Sequence, residues 1–352
     1  MSDDKHIHEK TSFPYREEQI NKFNQIVKFK PLRFILGLAS SVVLIWLAFR
    51  DIKIGDITIA IKNLHWGYVI FALTLSISST YFRAVRWRIL LNHDNRTVNF
   101  LRLLCILFIS QMLNLLIPLR AGELTRIFLI QPISKARTLG SIIIEKFLDL
   151  LTLVAFLLIL LLTLSLPEWF TESRQSLILL TLSISIILAI LFLLKEKIII
   201  FFVTLARKLP FGWEKKLEDA LSSGLESLDV FKKPLISLSL QFWSFLIWGL
   251  GFMVNYVLFD ALGLNLPVSA ALFLLLVLQV GISIPNIPGK LGVFQYSTIL
   301  TLAVFGVEKE QALTYSLILY MIGFGPHLLF GSLFGWKFWL QYRQNKKISS
   351  SL

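Results

Sequence analysis

"NLLIPLRAGELTR", residues 114–126, sets two arginines, a glutamate, a proline and a glycine between two apolar runs. Whether this string is a loop outside a membrane or a turn inside one decides the fold. The chain around it is far too apolar for a soluble globule: 55% of its 352 residues are hydrophobic and 16% are charged. Apolar runs at 32–49, 66–82, 147–166, 177–194, 238–259 and 312–336 approach or exceed the roughly 20 helical residues that cross a hydrocarbon core of about 30 Å. They are apolar on all sides, without the alternation of a lipid-facing barrel strand, so the expected class is an all-α polytopic membrane protein.

Basic residues set the orientation. Of the 35 lysines and arginines, 26 fall in the segments 1–31, 83–102, 131–146, 195–237 and 337–352, whereas 50–65, 167–176, 260–267 and 306–311 together hold 5. Positive residues are retained on the cytoplasmic side, so the first group is expected inside, with both termini cytoplasmic. The net charge of +13 then reads as a collar facing anionic lipid, with no nucleic-acid partner. Residues 1–31 lack the pattern of a signal peptide and are expected to remain as a polar tail. Cys105 is the single cysteine, and His6 and His8 stand near a terminus, so neither a metal site nor a cofactor is expected.

This orientation answers the opening question. With 83–102 and 131–146 on one side, the apolar stretch between them must turn back, with arms 101–117 and 123–133 and its tip at 118–122. With 260–267 and 306–311 on the other side, residues 268–305 must do the same, with the tip "IPNIPGKLG" at 284–292. The expected fold is six full spans plus two re-entrant hairpins from opposite faces, related as an inverted repeat. Eight or more ordinary kinked spans are the alternative. Paired apolar segments interrupted by Pro and Gly in matching places of two halves point to a transporter's binding site.

Four strings now resemble a known family. R-A-V-R-W-R-I-L-L (83–91), N-L-L-I-P-L-R-A-G-E-L-T-R (114–126), E-K-F-L-D-L-L (145–151) and P-N-I-P-G-K-L-G-V-F-Q (285–295) together resemble the lysylphosphatidylglycerol synthase transmembrane, or flippase-like, family over about residues 30–340. The resemblance implies movement of a polar-headed lipid between leaflets, in the plasma (inner) membrane of a prokaryote. It also implies a transmembrane domain at 32–340, with a cytoplasmic connection at 195–237 and a cytoplasmic tail at 341–352. The chain departs from the family pattern where Lys290 follows Gly289 and where Gln295 holds an acidic position. After the last span only "LQYRQNKKISSSL" remains, so no synthase domain is expected, and aminoacyl-lipid synthesis would fall to a separate lipid-modifying enzyme.

The candidate translocation residues follow from charge at depth, which costs about 2.5–3.5 kcal/mol per group on insertion scales. Arg120 or Arg126 can meet a lipid phosphate with a planar fork, while Glu123 balances the charge or pairs with Arg126 at i, i+3. Asn114, Pro118 and Gly122 shape that tip. Glu145 and Asp149 share a face near the start of a span, with a helix dipole in support, and Asp149 is expected to pair with Arg120 or Arg126. Arg83 and Arg86 flank the inner end of a span as interface anchors or phosphate ligands. Pro285, Pro288, Gly289, Lys290, Gly292 and Gln295 form the second tip, where unpaired backbone can hold a polar head. His327 beside Pro326 reads as a packed or kink-solvating histidine, and Leu217, Leu221, Leu225 and Leu228 predict an amphipathic helix.

Three functions fit these residues: a lipid flippase, a non-transporting partner of a lipid-modifying enzyme, and a membrane-embedded glycosyltransferase using a polyprenyl-linked donor. The third needs an acidic metal-binding pair by an external loop, and the longest such segment, 50–65, holds only Asp51 and Asp56. No Walker-type phosphate loop is present.

Overall fold

The structure is a computed structural model. It describes residues 43–50, 55, 62–91, 99–117, 121–130, 133–163, 174–194, 197, 204, 233–283 and 288–349. The tail 1–31, most of the span 32–49 and of the connection 195–237, the four leucines of the expected amphipathic helix, Pro118, Arg120 and Pro285 lie outside the described residues.

The described residues form helices and no strand. We number them α1 (Trp66–Leu91), α2 (Phe100–Leu116), α3 (Ala121–Leu129), α4 (Lys135–Thr163), α5 (Arg174–Leu193), α6 (Pro234–Ala261), α7 (Val268–Gly281), α8 (Val293–Ala303) and α9 (Lys309–Ser349), with a 3-10 turn at Pro288–Lys290 before α8. Among them α1, α6 and Lys309–Leu340 of α9 are long and apolar enough to cross a membrane. The expected spans 147–166 and 177–194 coincide with the apolar end of α4 and with α5.

Local chemistry sets the ends. The Asn99 side chain accepts a hydrogen bond from the Leu101 N–H and caps α2. Pro234 occupies the first turn of α6, where its missing N–H costs nothing. Pro326 lies inside α9, where a proline removes the N–H that would reach the carbonyl four residues back. That carbonyl, Ile322 O, accepts from Ser76 Oγ at 3.0 Å. A hydroxyl on α1 thus mends the break in α9 and ties the two helices together.

Helices α1 and α6 run antiparallel at the centre of the bundle. The His65 N–H bonds to Ala261 O at one end, Ser79 Oγ to Ile247 O further along, and Arg86 to Ser244 towards the other end. Helices α2 and α3 fold back on each other, as do α7 and α8. At 1.5 Å per residue their arms are about 14 to 26 Å long, short of the roughly 30 Å core.

The feet of the two hairpins lie at opposite ends of the bundle. Phe100, Leu103, Leu129 and Ile130 pack with Trp87 and Leu91 at the C-terminal end of α1. Leu264, Leu266, Phe305 and Val307 pack in the cluster that holds Leu64 and Ala261, at its N-terminal end. Exchanging the halves (α1 for α6, α2 for α7, α3 for α8, α4 for α9) carries each packed helix pair onto another packed pair. For example, α2 on α9 becomes α7 on α4, and α1 on α4 becomes α6 on α9. Helix α5 stands outside the repeat, packed chiefly on α4. The expected inverted repeat is therefore the architecture.

Candidate functional site

Where α1, α3, α4 and α6 converge, the bundle buries a network of charges. Arg86 on α1 is fully buried; its Nη1 donates to Asp149 Oδ1 at 2.7 Å and to Ser244 Oγ at 2.6 Å. Its Nη2 lies 3.4 Å from Glu145 Oε1. The other Glu145 oxygen accepts from Arg126 Nη1 at 2.8 Å, and Arg126 Nε donates to Ser110 Oγ at 3.2 Å. Asp149 Oδ1 also accepts from Trp248 Nε1 at 3.0 Å. One hairpin helix and three long helices are thereby joined through two carboxylates.

Arg83 sits one turn before Arg86 and is held differently. Its guanidinium lies over the Trp248 ring at 5.4 Å, and its Nη1 is 3.9 Å from Asp149 Oδ2. Its side chain is 20% exposed, against 0% for Arg86. The first hairpin is closed by small groups. Asn114 Oδ1 accepts from the Glu123 N–H at 3.1 Å, and Gly122 O accepts from both Ser110 Oγ and Thr125 Oγ1. A Cβ at Gly122 would collide with Ser110 O and stand 2.6 Å from Asn114 N, so α2 and α3 meet this closely only because residue 122 is glycine.

The second tip is built from backbone. Gly289, Lys290 and Gly292 all have positive φ, at 69°, 56° and 83°. Gly289 O accepts from Tyr320 Oη at 2.7 Å, and Lys290 Nζ lies over the Phe324 ring at 5.1 Å. This places the tip beside the middle of the spanning part of α9, and the same turn touches α2 of the first hairpin. Nearby, His327 Nδ1 donates to Gly323 O at 2.8 Å, which fixes the tautomer and leaves Nε2 to accept from Thr80 Oγ1 at 3.1 Å. The ring also meets Phe108 of α2. Packing and kink solvation, as the sequence suggested, are what His327 does here.

Several expected pairings are corrected. Glu123 and Arg126 do not pair with each other: Glu123 Oε1 meets Lys146 Nζ at 2.6 Å, and Arg126 turns to Glu145. Asp149 pairs with Arg86, because α4 runs antiparallel to α1 and brings 149 and 86 level. Glu145 and Asp149 stand about three turns or more into α4, which starts at Lys135, too deep for the dipole of its first turn. Arg86 is neither an interface anchor nor open to a ligand, being enclosed on all sides. Gln295 accepts from the Gly292 N–H at 2.8 Å, a task for a carbonyl oxygen that needs no negative charge. Ser110, Ser244, Trp248 and Lys146 were missed; the signals were a serine within each of two apolar runs and a lysine next to Glu145.

An all-helical membrane bundle with two opposed hairpins and an ion network buried where the first hairpin meets the long helices defines the class. Residues 34–331 match the family of the lysylphosphatidylglycerol synthase transmembrane region, and the chain belongs to that family. It is similar to a UPF0104 membrane protein of Pyrococcus horikoshii, 24% identical over 330 residues that cover 86% of this chain and 96% of the relative. A UPF0104 membrane protein of Methanocaldococcus jannaschii is 28% identical over 228 residues, covering 63% of this chain and 92% of the relative.

Proposed function

We propose that this chain moves a polar-headed membrane lipid, an anionic or modified phospholipid or a glycolipid, between the two leaflets of a prokaryotic plasma membrane. In this reading it is a transporter and not an enzyme, with both termini in the cytoplasm. The observation that carries the reading is the contact of the irregular, positive-φ turn of the second hairpin with α2 of the opposed first hairpin, in an apolar bundle that also buries a charge network. Irregular backbone and charge at such depth serve a polar passage or a binding site. Each hairpin gates one face, and the head group passes between the tips while the acyl chains stay in lipid.

The closure of Arg86, Arg126, Glu145 and Asp149 upon one another favours a second reading for those four: a lock that holds the first hairpin, in a protein that escorts a separate lipid-modifying enzyme or glycosyltransferase. Purified protein in vesicles with head-labelled lipid on one leaflet separates the two. Translocation above that of empty vesicles, changed by Glu123→Gln, which opens the contact from the first hairpin to Lys146, supports transport. Wild-type vesicles that move no anionic, aminoacylated or polyprenyl-linked lipid would leave the escort.

A further inference from the structure

The ion network does not balance. Arg83, Arg86 and Arg126 face Glu145 and Asp149, and the remaining carboxylate of the region, Glu123, is engaged by Lys146. The other acidic groups among the described residues, Asp260, Glu308 and Glu310, stand at the far end of the bundle, at the feet of the second hairpin. Among the described residues of this network one positive charge is thus left over within an apolar bundle, where its cost calls for an anion.

The surplus belongs to Arg83. Asp149 Oδ1 is satisfied by Arg86 and Trp248, so the 3.9 Å approach of Arg83 to Oδ2 is the loosest link in the network. Arg83 alone of the three arginines keeps a substantial exposed fraction. Its guanidinium lies over the Trp248 ring, which orients the plane with little further loss of rotamer freedom when it meets a planar or tetrahedral oxyanion. Arg83 is also one turn on from Thr80, whose hydroxyl meets His327 in the middle of α9. The position is about 12 Å in from the C-terminal end of α1, within reach of a head group drawn below the interface.

We propose that Arg83 is the ligand for the phosphate group of the transported lipid, supported by Trp248 and released from Asp149 when the phosphate arrives. This rests on the lipid-moving reading and adds to it the ionic group that the site selects. Lipids without a phosphate near the glycerol are then poor substrates, and the four enclosed charges serve to position Arg83 without touching the ligand.

The test is binding by the purified full chain in neutral detergent. The probes are dioctanoyl phosphatidylglycerol, dioctanoylglycerol, glycerol phosphate and inorganic phosphate. Wild type is expected to bind the short-chain phospholipid and not dioctanoylglycerol. Arg83→Gln should weaken that binding at least about tenfold, with an unchanged unfolding transition in the absence of ligand. Arg83→Lys keeps the charge without the fork and should weaken it by a smaller factor, which serves if the glutamine variant does not fold. Equal binding of phospholipid and dioctanoylglycerol, or wild-type binding by both variants, overturns the proposal. Inorganic phosphate or glycerol phosphate binding as tightly as the phospholipid would make this a site for free phosphate and overturn the lipid assignment. Lipid movement at the wild-type rate by Arg83→Gln sinks this inference and leaves transport standing; Arg83-dependent phospholipid binding without any transport does the reverse.

Discussion

Arg126 and Glu145 illustrate what a single residue can cost in this bundle. Each is almost wholly buried, and removing Arg126 takes the 2.8 Å donor from one Glu145 oxygen, opens a void among α3, α1 and α4, and leaves Glu145 only the looser 3.4 Å approach of Arg86. Arg126→Met is expected to destabilise the protein by about 3–5 kcal/mol, read as a shift of the unfolding transition in detergent. Glu123→Gln, by contrast, releases the half-exposed Lys146 and should shift it little, since solvent takes over the ammonium. Gly122→Ala acts through space alone: the added methyl would drive α3 off Ser110 and Asn114, at a cost of about 1–3 kcal/mol in the same measurement. A wild-type transition in Gly122→Ala would mean that α2 and α3 are not in contact there. The residue types at these positions were legible in the sequence as charge at depth. Their partners were not, because pairing depends on how α1 and α4 are rotated against each other, and one turn separates Arg83 from Arg86.

At the scale of elements, the hairpins were legible and α4 was not. The hairpins show themselves because positive residues flank both ends of each apolar stretch on one side or leave both ends bare. Helix α4 begins with the mixed string "KARTLGSIIIEK", so an apolar window finds only its second part and misplaces Glu145 and Asp149 near a helix start. The repair of α9 by Ser76 is a long-range contact that no local pattern announces. It yields a cycle of substitutions. Ser76→Ala alone leaves Ile322 O without its donor, at about 1–3 kcal/mol. In the Pro326→Ala background a backbone N–H is restored to reach Ile322 O, so the same substitution should cost much less. Equal costs in both backgrounds would show that Ser76 does not serve the kink. Gln295→Ala should lose about 1 kcal/mol of unfolding free energy by uncapping α8.

At the scale of the whole molecule, the exchange of halves preserves the packing but not the chemistry. The first half fixes its hairpin to the bundle with buried ion pairs, whereas the second holds its tip through the Tyr320 hydroxyl and the stacking of Lys290 on Phe324. A two-faced passage needs both hairpins to enter from their own side and end near the middle, and the proposals of lipid movement and of a phosphate ligand at Arg83 both rest on that arrangement. It is also the feature that an ordinary eight-span protein lacks.

The most direct test of this arrangement is cysteine accessibility from each face of sealed membranes. Cys105→Ser removes the native thiol, and single cysteines are then placed at the feet, as Asn99→Cys and Ser134→Cys for the first hairpin and Leu266→Cys and Val307→Cys for the second. The account predicts that the first two label with an impermeant reagent from one face only and the last two from the opposite face only. Labelling of Asn99→Cys and Ser134→Cys from different faces would contradict it, because the stretch between them would then cross the membrane and the two-hairpin passage would not exist.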